Sequence, residues 1–129
     1  MSSERLRTPL GRALGLGSAK EGVEHWWRQR LTAIALVPLT LWAVILVLQL
    51  LGADYPTARH ALGQPFPAVM MLLLVVAGFW HGALGMQVVI EDYVHAEWAR
   101  LGLVIVLRLS AFALAVAGVF AVLRLAFIP

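Results

Sequence analysis

Charged and apolar residues are segregated along this chain into long blocks. From residue 31 to residue 53 (LTAIALVPLTLWAVILVLQLLGA) no side chain carries a formal charge. An apolar run of about 20 residues is enough to cross the hydrocarbon core of a bilayer as a helix, so residues 31–53 are predicted to be a first transmembrane helix. Pro38 lies inside it and is expected to kink or loosen it, which a bilayer tolerates when neighbours satisfy the freed carbonyl. Residues 54–67 hold Pro56, Pro65 and Pro67 with Asp54, Arg59 and His60, and read as a short connecting loop. A second span is predicted over 67–90, rich in Met, Leu, Val and Gly, with its end marked by Glu91 and Asp92. A third is predicted over 99–123, interrupted by Arg108 and ending beside Arg124.

Composition supports this pattern. The chain has 129 residues, 61% hydrophobic and 13% charged, with a mean hydropathy of +0.85. A soluble domain carries roughly 25% charged residues, so the polar surface is too small for a water-exposed fold of this size. The expectation is an all-α membrane protein forming one membrane-anchor domain over 1–129. The net charge of +3 could suggest nucleic acid, but Arg5, Arg7, Arg12, Lys20, Arg28 and Arg30 cluster before the first span. That clustering is a topology signal, and nucleic acid is set aside. The positive-inside rule puts the N-terminus in the cytoplasm and, after three spans, the C-terminus in the periplasm.

The first apolar run is too long for a signal-peptide core and no small-residue cleavage pattern follows it, so nothing suggests removal of the N-terminus. Residues 1–30 are expected to form a cytoplasmic arm and interfacial segment, extended or partly ordered through residue 24. Residues 24–30 (EHWWRQR) fit the interfacial belt, with rings at headgroup level and guanidiniums toward phosphate. The chain contains no cysteine, which excludes disulfides, thiolate metal sites and iron–sulfur ligation by its own side chains.

Few polar groups remain within the apolar blocks. His81 lies roughly 20 Å along the second span from Pro67 and about 15 Å from Glu91, at 1.5 Å per residue. That is near mid-bilayer, where an ionisable side chain is costly without a partner. It could ligate a metal, bond across helices or relay protons. Gly78 and Gly85 share its helical face and clear space for a flat macrocycle, which favours haem, while Gly78 and Gly82 also form a small-xxx-small spacing that promotes helix packing. No other histidine is expected in the membrane: His25 precedes the first span, His60 lies in the loop and His95 follows the second span. A bis-histidine haem would therefore take its second ligand from another chain. Asp92 and Tyr93 at the membrane boundary could hydrogen-bond and protonate a quinone carbonyl, or simply mark a polar helix end. Arg108 is expected to snorkel toward the cytoplasmic surface, the alternative being neutralisation of an acidic group such as a haem propionate.

These residues resemble a known family. From about Gly17 to Leu123 the chain is similar to the small hydrophobic membrane-anchor subunit of bacterial succinate dehydrogenase, respiratory complex II. Two motifs carry the resemblance: HWWRQRLTAI at residues 25–34, and HGALGMQVVIEDY at residues 81–93. The second matches the family pattern of a histidine, a glycine four residues on, and Asp-Tyr eleven and twelve residues on. The resemblance implies three transmembrane helices packed with a second three-helix anchor, in the bacterial inner membrane. It implies that His81 is one axial ligand of a b-type haem, with the other ligand from the cytochrome b556 anchor subunit. Gly85 belongs to the same motif, and Arg30 matches an arginine near the haem propionates. Asp92 and Tyr93 match the quinone pair, with Tyr93 bonding a ubiquinone carbonyl. The iron–sulfur subunit and the flavoprotein subunit would complete the complex, and flavin and iron–sulfur clusters would lie outside this chain. An extra acid at Glu91 leaves the division of labour with Asp92 open. The alternatives are the anchor of a fumarate reductase and a structural or assembly membrane protein without a redox centre.

Overall fold

A computed structural model describes residues 9–13 and 20–128. The described residues form five helices in order: α1 (Pro9–Ala13), α2 (Lys20–Gln49), α3 (Tyr55–Leu62), α4 (Pro65–Tyr93) and α5 (Glu97–Phe127). There is no strand among the described residues. The three long helices are each long and apolar enough to cross a membrane. α4 and α5 outrun at both ends the apolar blocks that predict them, while α2 starts well before its block and stops at Gln49, short of the predicted end at residue 53. Helix propagation needs only unbroken i→i−4 bonding, and the polar flanks supply no residue that stops it before a glycine or an extended linker intervenes.

α2 begins well before the apolar run and carries the EHWWRQR segment as helix. It continues through Pro38, and Thr40 Oγ1 donates back to the Leu36 carbonyl at 2.6 Å. The chain leaves α2 through Gly52, whose φ of +81° is the only positive value among the described residues and suits a residue without Cβ. The expected loop over 54–67 is instead largely helical. Asp54 caps α3, its carboxylate accepting from the Thr57 amide at 3.1 Å, and Pro56 stands where a first-turn proline leaves no bond unmade. Three prolines in fourteen positions therefore start helices here: Pro65 and Pro67 open α4 just as Pro56 opens α3. The arm expected to be extended or partly ordered through residue 24 contains α1 and the first turn of α2, while residues 1–8 and 14–19 lie outside the described part.

The long helices form an open row. α4 is central and packs against α2 on one side and α5 on the other, while α2 and α5 do not meet. Trp42 and Phe66 pack edge-to-face at 6.2 Å where α2 meets the start of α4. α5 approaches α4 closely at Gly118, where a Cβ would stand 2.8 Å from Val75. Only Leu39, Ala68 and Val122 are buried among the described residues, and large apolar side chains such as Leu109 and Phe112 are exposed. A row of helices with an apolar surface all round is stable only with lipid or further helices against it.

Candidate functional site

The start of α2, the end of α4 and the start of α5 lie at one end of the row, called the basic end below. Toward that end α2 presents His25, Gln29 and Thr32 on one face, at the four- and three-residue spacings that align side chains along a helix. Thr32 meets α4. Its Oγ1 lies 3.0 Å from His81 Nδ1 and also donates to the carbonyls of Arg28 and Gln29, at 2.8 Å and 3.0 Å. A hydroxyl has one hydrogen. With that hydrogen given to a backbone carbonyl, Thr32 would accept from His81, an arrangement that puts the imidazole proton on Nδ1 and leaves the Nε2 lone pair free. No described residue bonds Nε2.

Around the half-buried ring the glycines differ. A Cβ at Gly78 or Gly82 would meet nothing within 4 Å, whereas one at Gly85 would lie 3.5 Å from Gln29 Nε2. The Gly78–Gly82 spacing thus mediates no helix contact within this chain, and Gly78 leaves open space on the histidine's own face. A Cβ at Gly85 would make only an ordinary contact with Gln29, where α2 packs on α4.

His25 is half-buried rather than lying clear of the helices. Its Nε2 and the Gln29 Oε1 are enclosed without a hydrogen-bond partner among the described residues. Sequence reading missed both. The signal was there in the seven-residue spacing from His25 to Thr32, which returns to the same helix face after two turns. Arg30, by contrast, stands about 200° around α2 from Thr32. It is exposed and stacks over the Trp26 ring at 5.1 Å, so the fold of this chain does not bring it to His81.

Asp92 and Tyr93 end α4, which closes with the Val94 amide donating to the Ile90 carbonyl at 2.9 Å. Both are exposed, Tyr93 to 78%, and neither side chain bonds another described residue. Arg108 turns toward the basic end as expected for snorkelling, but reaches a protein partner: its Nη2 donates to Gln87 Oε1 at 2.9 Å and its Nε at 3.3 Å. Gln87 Nε2 donates in turn to Glu91 Oε1 at 2.7 Å.

No cluster of three or more histidine or acidic side chains able to hold a bare metal ion occurs among the described residues. The donor set is a single imidazole with a free Nε2, a hydrogen-bonded Nδ1 and open space beside it. That fits a cofactor that brings its own equatorial ligands and takes one axial ligand from this chain.

The three long apolar helices make this a multi-pass helical membrane protein. The comparisons with known proteins say which kind. Residues 4–115 match the family model described as succinate dehydrogenase/fumarate reductase transmembrane subunit, and the chain belongs to that family. The succinate dehydrogenase hydrophobic membrane anchor subunit of Rickettsia bellii is 37% identical over 116 residues, covering 90% of this chain and 93% of the relative. That of Paracoccus denitrificans is 34% identical over 121 residues, covering 94% and 93%. The succinate dehydrogenase membrane anchor subunit of Reclinomonas americana is 36% identical over 95 residues, covering 71% and 79%. No solved structure matches. The chain is thus a multi-pass inner-membrane protein of the succinate dehydrogenase anchor type.

Proposed function

We propose that this chain is the anchor subunit of a succinate:ubiquinone oxidoreductase, that His81 supplies one axial ligand to haem b, and that Asp92 and Tyr93 form part of the ubiquinone-reduction site. The observation that carries the haem reading is the Thr32–His81 hydrogen bond, which occupies Nδ1 and leaves Nε2 without a partner among the described residues. When bound, haem b supplies a one-electron redox centre close to the quinone. The chain's own residues do the rest. Thr32 orients the imidazole, and Gly78 leaves room beside it. Gln29 and His25 lie on the same face of α2 as Thr32, about 5 Å and about 10 Å toward the basic end, and line the polar approach to the imidazole. Arg30, which the resemblance sets near the haem propionates, is exposed and stacks over Trp26 at the membrane boundary.

The resemblance implies that the other ligand would come from the cytochrome b556 anchor subunit, in keeping with no other described histidine of this chain lying at the level of His81. The flavoprotein oxidises succinate, and two electrons pass through the iron–sulfur subunit to the quinone, which also takes up two protons. Tyr93 donates a hydrogen bond to a ubiquinone carbonyl and Asp92 assists proton delivery. With the basic end cytoplasmic, these groups stand at the surface where the soluble subunits dock and protons are drawn from the cytoplasm. The relatives, which carry the succinate dehydrogenase name, support the succinate-oxidising direction.

The test is the complex carrying Tyr93→Phe, assayed with ubiquinone and with a water-soluble electron acceptor. The expected result is impaired ubiquinone reduction with assembly and soluble-acceptor activity intact. Normal ubiquinone turnover would overturn the assignment.

A further inference from the structure

We propose that Arg108, Gln87 and Glu91 form one unit that holds the Glu91 carboxylate away from the quinone pair, making Arg108 a positioning residue for Asp92 and Tyr93. The inference rests on the quinone reading of those two residues. It begins with helix geometry. At about 100° per residue, Gln87 and Glu91 share the side of α4 that meets α5, while His81, Gly85 and Asp92 fall within roughly 40° of one another on the side that meets α2. The consecutive acids Glu91 and Asp92 therefore leave α4 in different directions.

The bonds lock that separation. Arg108 can only donate, so Gln87 must present Oε1 to it. The Gln87 amide nitrogen then faces Glu91, whose carboxylate can only accept. The amide is polarised from both ends and has one satisfactory orientation. Arg108 begins about 16 Å along α5 from Glu97, at the depth of Phe79 and Ala83, where a guanidinium needs compensation. Glu91 supplies the opposite charge through one amide. Without that draw, Glu91 stands free next to Asp92, beside the atom on which quinone reduction builds negative charge. A second free carboxylate there opposes both binding and reduction.

The experiment uses the whole complex in membranes, with haem absorption and succinate oxidation by a water-soluble acceptor as measures of assembly. Arg108→Leu and Gln87→Leu are expected to raise the KM for ubiquinone by roughly three- to tenfold with both controls unchanged. Arg108→Lys is expected to retain most of the wild-type value. The double variant Arg108→Leu/Glu91→Gln is expected to return KM toward wild type, because the released charge is gone; a merely structural role for Arg108 predicts no such rescue. Gln87→Leu keeps both charges in place and decides the matter if Arg108→Leu does not assemble. An unchanged ubiquinone KM in Gln87→Leu, or a double variant no better than Arg108→Leu, would overturn the proposal. If Tyr93→Phe impairs ubiquinone reduction while Gln87→Leu does not, only this inference falls. If Tyr93→Phe has no effect, the quinone reading falls with it.

Discussion

Thr32 on α2 and His81 on α4 are joined by a 3.0 Å contact between Oγ1 and Nδ1, so the second helix orients the imidazole carried by the fourth. Removing the acceptor leaves the Nδ1 proton unpaired and the ring free to turn. Thr32→Val is expected to weaken haem retention by about 10- to 100-fold, the usual effect of losing a partner behind a metal-ligating histidine. It should also raise the haem midpoint potential, since an imidazole that no longer donates is a poorer electron donor to ferric iron. Redox titration of the purified complex checks this, and Thr32→Ser should restore both properties. A potential unchanged by Thr32→Val would show that the hydroxyl does not act on the ligand.

Gly63 closes the connection between α3 and α4 against the end of α5. A Cβ there would stand 2.6 Å from the Leu125 carbonyl oxygen, a backbone atom that cannot move without its helix. Gly63→Ala is therefore expected to destabilise the fold by about 1–3 kcal/mol, as overpacking does. A lowered thermal midpoint of the detergent-solubilised complex reports it. Gly22→Ala, where a Cβ meets nothing, is the matched control.

Asp54 gives α3 a pH dependence. Its hydrogen bonds from Thr57 hold the carboxyl below its ordinary value of 3.8. A depressed folded value means that the cap contributes fully above the unfolded carboxylate range and is lost as pH falls through the folded value. Exchange of the Thr57 amide should stay slow through neutral pH and, corrected for intrinsic rate, quicken only in strong acid. Asp54→Asn keeps a capping oxygen without the titrating group, so the acid-induced loss should disappear.

The three spans were legible because block hydrophobicity is a long-range signal that no single residue can mask. The region around α3 was not, because prolines read as loop markers when counted together, whereas each stands where a helix begins. His81, Asp92 and Tyr93 stood out as polar residues in or beside apolar runs. Thr32, Gln29 and His25 did not, since their meaning depends on which face of α2 turns to α4. Arg108 shows the same limit: snorkelling gave its direction, but its partner Gln87 lies on another helix and is fixed only by packing.

The central claim, that this anchor supplies half of a haem's axial ligation, is tested most directly by the reduced-minus-oxidised absorption spectrum of the purified complex with and without His81→Ala. The expected result is a b-type haem signal in the wild-type complex that is lost or strongly diminished in the variant, while the soluble subunits still oxidise succinate with a water-soluble acceptor. An unchanged bis-histidine haem signal in His81→Ala, or no haem in the intact wild-type complex, would contradict it.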